Sequence, residues 1–327
     1  MNCSPLDLCV SVVSGGNRQM TLDCLQSLVA SLTGALKVEI HFVDNAAPDT
    51  WFSDIETLSP LIRVRRNSYR KGFGRNHNEV ISSVDADFYF LLNDDTYVSP
   101  GACETLVAEG RRSARAGFVG PRLLNGDRTL QRSCYRYPSP QLALIQMMLL
   151  NKLVPRLPWV DDYSHFNHKE RRIVEFVSGA ALLARKEMVS EVGLFDEQFF
   201  MYAEEADWCF RARKAGWQTL FTPEATIVHY GGQSTVNFCQ ERSVEFLRSH
   251  SKFLIKHFGL IGLIAYKICT FFKHLPRFLV YKLAFWGDAR SAAESDIVLW
   301  SLGLLRRRGL KEISENELSN TRPLVVN

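Results

Sequence analysis

The sequence predicts an α/β protein with a mostly parallel central sheet flanked by helices and a helical extension at the C-terminal end. Three observations predict it. Apolar, β-rich runs alternate with helical stretches between residues 6 and 92, the pattern of right-handed βαβ units. One run, Phe88-Tyr89-Phe90-Leu91-Leu92, is unbroken, as in a strand buried on both faces. Beyond residue 240 the composition changes to long aromatic and aliphatic helical segments. The expected division is 1–240 for the α/β part and 241–327 for the extension.

The first strand is Leu6 to Ser14, and Gly15-Gly16-Asn17 turns out of it. Asn17 suits a helix N-cap, and Leu22, Leu25, Leu28, Val29 and Leu32 recur at helical spacing until Gly34. Val38 to Val43 is the second strand and Leu61 to Val64 the third. Lys71-Gly72-Phe73-Gly74-Arg75-Asn76 leads into a helix, and the strand Phe88 to Leu92 follows. Pro100-Gly101 opens another helix, Phe118 to Pro121 is a short strand and turn, and Arg122 to Pro140 reads as irregular. Gln141 to Leu153 is apolar nearly all round, which suits a helix that is buried or meets another apolar surface. Pro155 to Arg172 is a long polar loop. Phe176 to Ala184 is strand-like but interrupted at Ser178-Gly179, Glu204 to Lys214 is a helix stopped by Gly216, and Thr226 to Val228 is a strand.

Composition excludes some classes. A net charge of +4 on 327 residues gives no nucleic-acid signal. The eight cysteines contain no Cys-x-x-Cys pair, so buried reduced thiols in a cytoplasmic setting are expected rather than disulfides or zinc. No secretory leader and no standard transmembrane run are expected.

Polar residues gather where strands end. Asn93-Asp94-Asp95 closes the central strand, and ligands of open α/β sheets sit outside the carboxyl ends of strands. Clustered oxygens suit Mg²⁺ or Mn²⁺, although Asn and Asp also serve ordinary turns. Ser14, Asp44 and Asn67 stand at three further strand ends and could line one nucleotide pocket. The glycines do not form a dinucleotide fingerprint. Glu204-Glu205-Ala206-Asp207 opens a helix beside Phe199, Phe200, Tyr202 and Trp208. Acids there suit the helix dipole, and equally a general base whose pKa is raised by desolvation. His229 ends a strand before two glycines that let a ligand approach the backbone.

The ordered set resembles the inverting glycosyltransferases of family 2, which have the GT-A fold, and among them the rhamnosyltransferase-like group. The matching pieces are Val43-Asp44-Asn45, Asn67 with Gly72-Phe73-Gly74, Leu91 to Asp95 with Pro100-Gly101, Gly120-Pro121-Arg122-Leu123, Ser178-Gly179-Ala180, Phe195-Asp196-Glu197, Phe199 to Asp207, Gly216, and His229 to Gly232. The resemblance implies a nucleotide-diphosphate sugar donor held by Ser14, Gly15, Asp44, Asn67, Gly72, Phe73, Gly74, Asn76, Asn93 and Asp94. It implies a divalent metal, Mg²⁺ or Mn²⁺, on Asp95 and His229, with Glu205 as general base and Glu204 as the alternative. Ser178, Gly179, Tyr202, Asp207 and Trp208 fall on the acceptor side. Two departures stand out: Gly15-Gly16 replaces the commoner Thr-Tyr or Thr-Phe, and Glu205 replaces the Asp of the usual Glu-Asp.

The resemblance further suggests rhamnose from a thymidine diphosphate donor, or another donor such as a UDP-hexose. The acceptor would be a glycan or a lipid-linked glycan of the bacterial envelope. The weighed alternatives are a glycoside hydrolase, a sugar nucleotidyltransferase and a nucleotide-sugar-binding protein without turnover. Leu260 to Phe285 carries Lys267, Lys273, Arg277 and Lys282 among apolar residues and no acid. Such a helix suits peripheral attachment to the anionic inner face of the cell membrane, or packing on the domain with a solvated basic side.

Overall fold

The computed structural model describes residues 5–14, 16–45, 52–155, 157–231, 239–284, 289–307, 309 and 311. Four strands make the parallel half of the sheet: β1 (Leu6–Val13), β2 (Val38–Asp44), β3 (Ile62–Arg66) and β4 (Ala86–Asn93). They stand in the order β3-β2-β1-β4. Between them run α1 (Arg18–Ser31), α2 (Phe52–Glu56) and α3 (Phe73–Ile81). The expected cap is present: the Asn17 side chain accepts a hydrogen bond from the Met20 N–H at 3.2 Å. The register aligns the strand ends, since Val13 lies opposite both Val43 and Asn93, and Asp44 lies opposite Arg66.

β4 is buried on both faces because its alternate side chains enter different cores. Phe88, Phe90 and Leu92 pack with Leu25 and Leu28 of α1, while Tyr89 and Leu91 join a core that contains Trp208 and Phe199.

The rest of the chain widens the sheet. It comprises β5 (Thr96–Val98), α4 (Ala102–Arg112), β6 (Ala116–Leu124), β7 (Leu130–Gln131), β8 (Cys134–Tyr135), α5 (Pro140–Met147) and α6 (Leu150–Leu153). Then follow β9 (Arg172–Val174), β10 (Phe176–Val177), β11 (Ala181–Arg185), α7 (Lys186–Val192), α8 (Glu204–Lys214), β12 (Gln218–His229), α9 (Cys239–Ala284) and α10 (Ala289–Ser301). The sheet continues from β4 through β11, β6 and β12 to β5. β11 is antiparallel to both β4 and β6, β12 is parallel to β6, and β5 is antiparallel to β12.

Three local expectations change. β6 runs on through Pro121 to Leu124, where a turn was expected. The stretch expected to be irregular carries β7 and β8. The apolar helix expected over 141–153 is broken by Leu149 in the left-handed region (φ 57°), and of α5 only Ala143 and Ile145 are buried. Leu144, Met148, Leu149 and Leu153 are exposed instead.

α9 also divides, at Gly259 (φ 68°). Its first part, 239–258, lies on α8 and sends Phe253 into the core with Tyr137 and Phe210. Its second part, 260–284, runs beside α5, where Lys273 donates to Gln146 Oε1 at 2.8 Å. α10 returns along it through His274–Glu294 (2.7 Å) and a Trp300–Tyr266 ring contact. By length and composition alone, one helix, Glu241–Leu283, is long and apolar enough to cross a membrane.

Candidate active site

Strand ends supply the donor side. Asp44 is buried at the end of β2, with Arg66 Nε 3.9 Å from its carboxylate. Ser14 bonds Val43 O through its N–H, and its hydroxyl accepts from Gly16 N at 3.0 Å. Asp94 is buried and accepts from Thr21 Oγ1 of α1 at 2.9 Å. Arg70, which the sequence reading passed over, lies near Asp94. Burial pulls its guanidinium below the ordinary arginine range, and the Asp94 charge opposes that. Among the described residues Arg70 has no hydrogen-bond or ion-pair partner. Gly15 lies outside the described residues.

Several expected donor contacts prove to be packing. A Cβ on Gly72 would stand 2.7 Å from Phe200 O, and one on Gly74 would stand 2.8 Å from Phe195 Cβ. These glycines admit the 193–203 loop against α3. Phe73 donates its N–H to Phe200 O at 2.9 Å and packs its ring against Phe195 and His77. Asn76 is fully buried, holding Gly72 O and accepting from the Asn67 amide at 2.6 Å. Asn67 also reaches Asn45 at 3.1 Å, so its amide braces the loop. Asn78, unremarked in the sequence, grips the same loop twice. It donates to Phe195 O and accepts from Phe195 N, both at 3.0 Å.

Asp95 and His229 lie side by side. β5 and β12 pair so that His229 lies opposite Thr96, which brings His229 Nε2 to 3.2 Å from Asp95 Oδ1. Gln131 fixes the ring. Its Nε2 donates to His229 O at 3.0 Å and to Asn125 Oδ1 at 2.8 Å, which turns its Oε1 toward His229 Nδ1 at 2.7 Å. Nδ1 therefore donates to Gln131, and Nε2 is the ring atom that faces Asp95. Asp95 Oδ1 is buried with no hydrogen-bond donor. Asn93 Nδ2 stands 3.4 Å from Nε2. Two converging acceptors fit a cation. No group of three or more His, Cys, Asp or Glu side chains converges among the described residues, so oxygens of a bound diphosphate would complete the shell.

The opposite wall carries Glu204 and Glu205 at the start of α8. Tyr202 (φ 70°) and Ala203 (φ 66°) are both left-handed, a strained entry costing about 1–2 kcal/mol per residue. α9 holds it in place: Arg242 Nε donates to Tyr202 Oη at 2.9 Å and Ser249 Oγ to Met201 O at 2.8 Å. Burial raises both carboxyl pKa values, and the Glu205 charge lifts Glu204 further. The Gly179 N–H holds Glu205 back toward its ionised form. A Cβ on Gly179 would lie 3.8 Å from Glu205 Cδ and 3.4 Å from the Phe73 ring, so this glycine keeps the carboxylate accessible to its backbone. Ser178 closes the same turn, its hydroxyl accepting from Ala180 N at 3.3 Å. One oxygen of each glutamate lacks a partner.

Asp207 and Trp208 were expected on the acceptor side, and the structure places both elsewhere. Asp207 is wholly buried and fully engaged by Arg211 Nε (2.8 Å), His257 Nε2 (2.7 Å) and Lys256 Nζ (2.6 Å). Burial pushes its pKa up, but these three partners prevail and hold it down to about 2. Trp208 is a core residue between Phe118 and Phe195, its indole donating to Gly193 O at 2.7 Å. Both serve to fasten α8.

Parallel strands ending in carboxylates, with two raised-pKa carboxyls at the start of α8, define a glycosyltransferase of the GT-A fold. The profile of "Glycosyl transferase family 2" matches residues 11–193, and the chain belongs to that family, in its rhamnosyltransferase-like group. It is 30% identical over 225 residues to the N-acetylglucosaminyl-diphospho-decaprenol L-rhamnosyltransferase of Mycobacterium tuberculosis, covering 64% of this chain and 73% of that one. It is 25% identical over 198 residues to the rhamnosyltransferase WbbL of Escherichia coli K12, covering 57% and 70%. Among solved structures, GalNAc-T7 with UDP, GalNAc and Mn²⁺ superimposes with a TM-score of 0.59 at 15% identity, over 98% of this chain and 59% of that one. The chain is a glycosyltransferase.

Proposed function

We propose that this enzyme transfers rhamnose, from a deoxythymidine diphosphate donor, to a hydroxyl of a lipid-linked glycan in bacterial envelope synthesis. The observation that carries the transfer is the buried, raised-pKa carboxyl of Glu205 beside Gly179, next to Ala180, whose O accepts from Asn93 N at 2.9 Å on the strand end that leads to Asp95 and His229. The rhamnose and lipid assignments are supported by the relatives in Mycobacterium tuberculosis and Escherichia coli.

Asp44 reads the nucleotide, and Asp94 with Thr21 shapes the sugar side. The guanidinium of Arg70, near Asp94, supplies positive charge for the diphosphate. Asp95 Oδ1 and His229 Nε2 would hold a divalent cation, which when bound neutralises charge on the diphosphate leaving group. Ionised Glu205 takes the proton of the acceptor hydroxyl, whose oxygen then attacks the anomeric carbon from the face opposite the diphosphate. One such displacement inverts the configuration. Raised pKa values and excluded water suit proton transfer at neutral pH. The enzyme would work at the cytoplasmic face of the membrane, touching lipid with the exposed apolar side of residues 260–284.

The test is transfer from a panel of nucleotide sugars to a prenyl-diphosphate N-acetylglucosamine acceptor, read by product mass. Product from dTDP-rhamnose alone supports the reading. Product only from a UDP-hexose moves the donor assignment, and transfer only to a soluble glycan removes the lipid.

A further inference from the structure

A cavity of about 470 Å³ lies between the two parts of α9, α10 and the chain that follows α10, within the size range of ligand sites. Its walls include Arg248, Lys252, Lys267 and Lys311, against one carboxylate, Glu245. The catalytic machinery described above uses none of these cations.

The positions are built. Lys252 Nζ donates to Gln198 O at 2.7 Å, which anchors it and leaves further N–H donors for the cavity. Lys267 Nζ stands 4.9 Å from the centre of the Trp300 ring, and Trp300 is set by its indole bond to Ser251 Oγ at 3.0 Å. Arg248 is held by Arg307 O at 2.8 Å. Burial lowers the pKa of Lys252 and Lys267; for Lys252 Glu245 opposes this, while Lys311 and Arg248 depress it further. Half-buried cations that repel one another are what an entering anion relieves.

The surroundings show what kind of anion. On one side, the α9 turn that carries Arg248 and Lys252 is tied to the segment leading into Glu204 and Glu205, through Ser249 Oγ to Met201 O at 2.8 Å and Lys252 Nζ to Gln198 O at 2.7 Å. On the other side, Ile264 and Ile268 bracket Lys267 on its helix and are about half exposed, at 49% and 51%. A cationic cavity between a sugar-transfer site and an exposed apolar helix matches an amphiphile whose polar link is a phosphate ester.

We propose that this cavity binds the diphosphate of the acceptor through Lys252, Lys267, Arg248 and Lys311, with the sugar toward Glu205 and the hydrocarbon along residues 260–284. The inference rests on the lipid-linked acceptor of the proposed function and assigns that acceptor a site.

The test is equilibrium binding of farnesyl diphosphate and of farnesol to the full-length protein in Mn²⁺ with saturating dTDP, which fills the nucleotide and metal site. The expected result is at least roughly tenfold preference for the diphosphate, competed by inorganic pyrophosphate and reduced to under about threefold in K252Q/K267Q. Mn²⁺-dependent binding of the donor nucleotide should be unchanged in that variant, since neither lysine contacts Asp95 or His229. Should K252Q/K267Q fold poorly, Lys267→Met keeps the side-chain stem over Trp300 and should still lower the preference. A preference that survives both variants overturns the proposal. Competition by phosphatidylglycerol vesicles but not by pyrophosphate also overturns it, giving the cavity to membrane headgroups. If the lysines control farnesyl diphosphate binding while no prenyl-diphosphate sugar is ever glycosylated, the diphosphate site stands and the acceptor reading falls.

Discussion

Asp95 Oδ1 and His229 Nε2 face each other across 3.2 Å, and Gln131 Oε1 holds the other ring nitrogen, Nδ1, at 2.7 Å. The proposed divalent cation would sit on this buried pair. Removing Asp95 should therefore cost function and not stability. Asp95→Ala is expected to abolish transfer and Mn²⁺-dependent donor binding, with a melting temperature equal to or above the wild type. Gln131→Ala, which frees the ring, should weaken metal affinity about 10–100-fold, the usual worth of such a support. Full activity in excess chelator, or of Asp95→Ala, would refute the metal assignment.

The two glutamates should separate by pH. Burial raises both, the Glu205 charge raises Glu204 further, and Gly179 N–H favours ionised Glu205. Glu205 thus ionises first as pH rises. The rate should climb with pH through a pKa above the ordinary glutamate value and level off. Glu205→Gln should lose about 10²–10⁴ in kcat and that limb with it. If Glu204→Gln is the dead enzyme instead, the base is Glu204.

The same shifts fix a stability change. A carboxyl whose pKa is raised by folding stabilises fully below the unfolded value, and that contribution is lost as pH rises through the folded value. Glu204→Gln should therefore raise the melting temperature at pH 8 and change it little at pH 4. An equal shift at both pH values would show that Glu204 is not held protonated.

Much of this was legible in the sequence, and the failures share a cause. β4 was readable because both its faces are buried, and α8 because acids open it and Gly216 follows it. The face that α8 turns to the cleft was not readable. Glu204, Ala206, Asp207, Trp208 and Cys209 are all buried, and periodicity selects a face only where another is wet. Gly72 and Gly74 stood out as donor-side glycines, while their packing against Phe200 and Phe195 was not readable. Arg70, Asn78 and Gln131 acquire meaning only through residues distant in sequence. The break at Leu149 has no Gly or Pro to mark it.

Asp207 is the rivet between α8 and α9. Its pKa is lowered to about 2, so its stabilising contribution is present above the ordinary aspartate value of 3.8 and is lost as pH falls toward 2. Asp207→Asn removes the carboxylate that binds Arg211 and His257, while Lys256 keeps Asp196 at 2.6 Å, and should cost about 3 kcal/mol near neutral pH. The loss should shrink in acid. Because α9 also holds the strained Tyr202-Ala203 entry, kcat should fall while Mn²⁺-dependent donor binding persists. An unchanged unfolding midpoint would mean the cluster contributes nothing.

The last expectation concerns the membrane, where the structure shifts weight from charge to apolar area. Lys267 lies over Trp300, Lys273 donates to Gln146 at 2.8 Å, and Arg277 is 4.0 Å from Glu294. These three cations are partly engaged within the protein, and each would offer an anionic surface less than the about 1 kcal/mol of a basic residue on a membrane. Along the same helix Ile261, Ile264, Ile268 and Phe272 are exposed, at helical spacing, with Leu144, Met148 and Leu149 exposed on the neighbouring α5 region. Complete burial of one such side chain is worth about 1.5–3 kcal/mol, so partial insertion of four outweighs the cations. Replacing Ile261, Ile264, Ile268 and Phe272 with Ser should release the protein from anionic vesicles in a flotation assay. Replacing Lys267, Lys273, Arg277 and Lys282 with Gln should weaken flotation only modestly, and 1 M salt should leave much of it, because salt screens charge and spares apolar contact. Release by salt alone would make the attachment electrostatic. If wild-type protein ignores vesicles at low salt, this apolar face does not bind lipid.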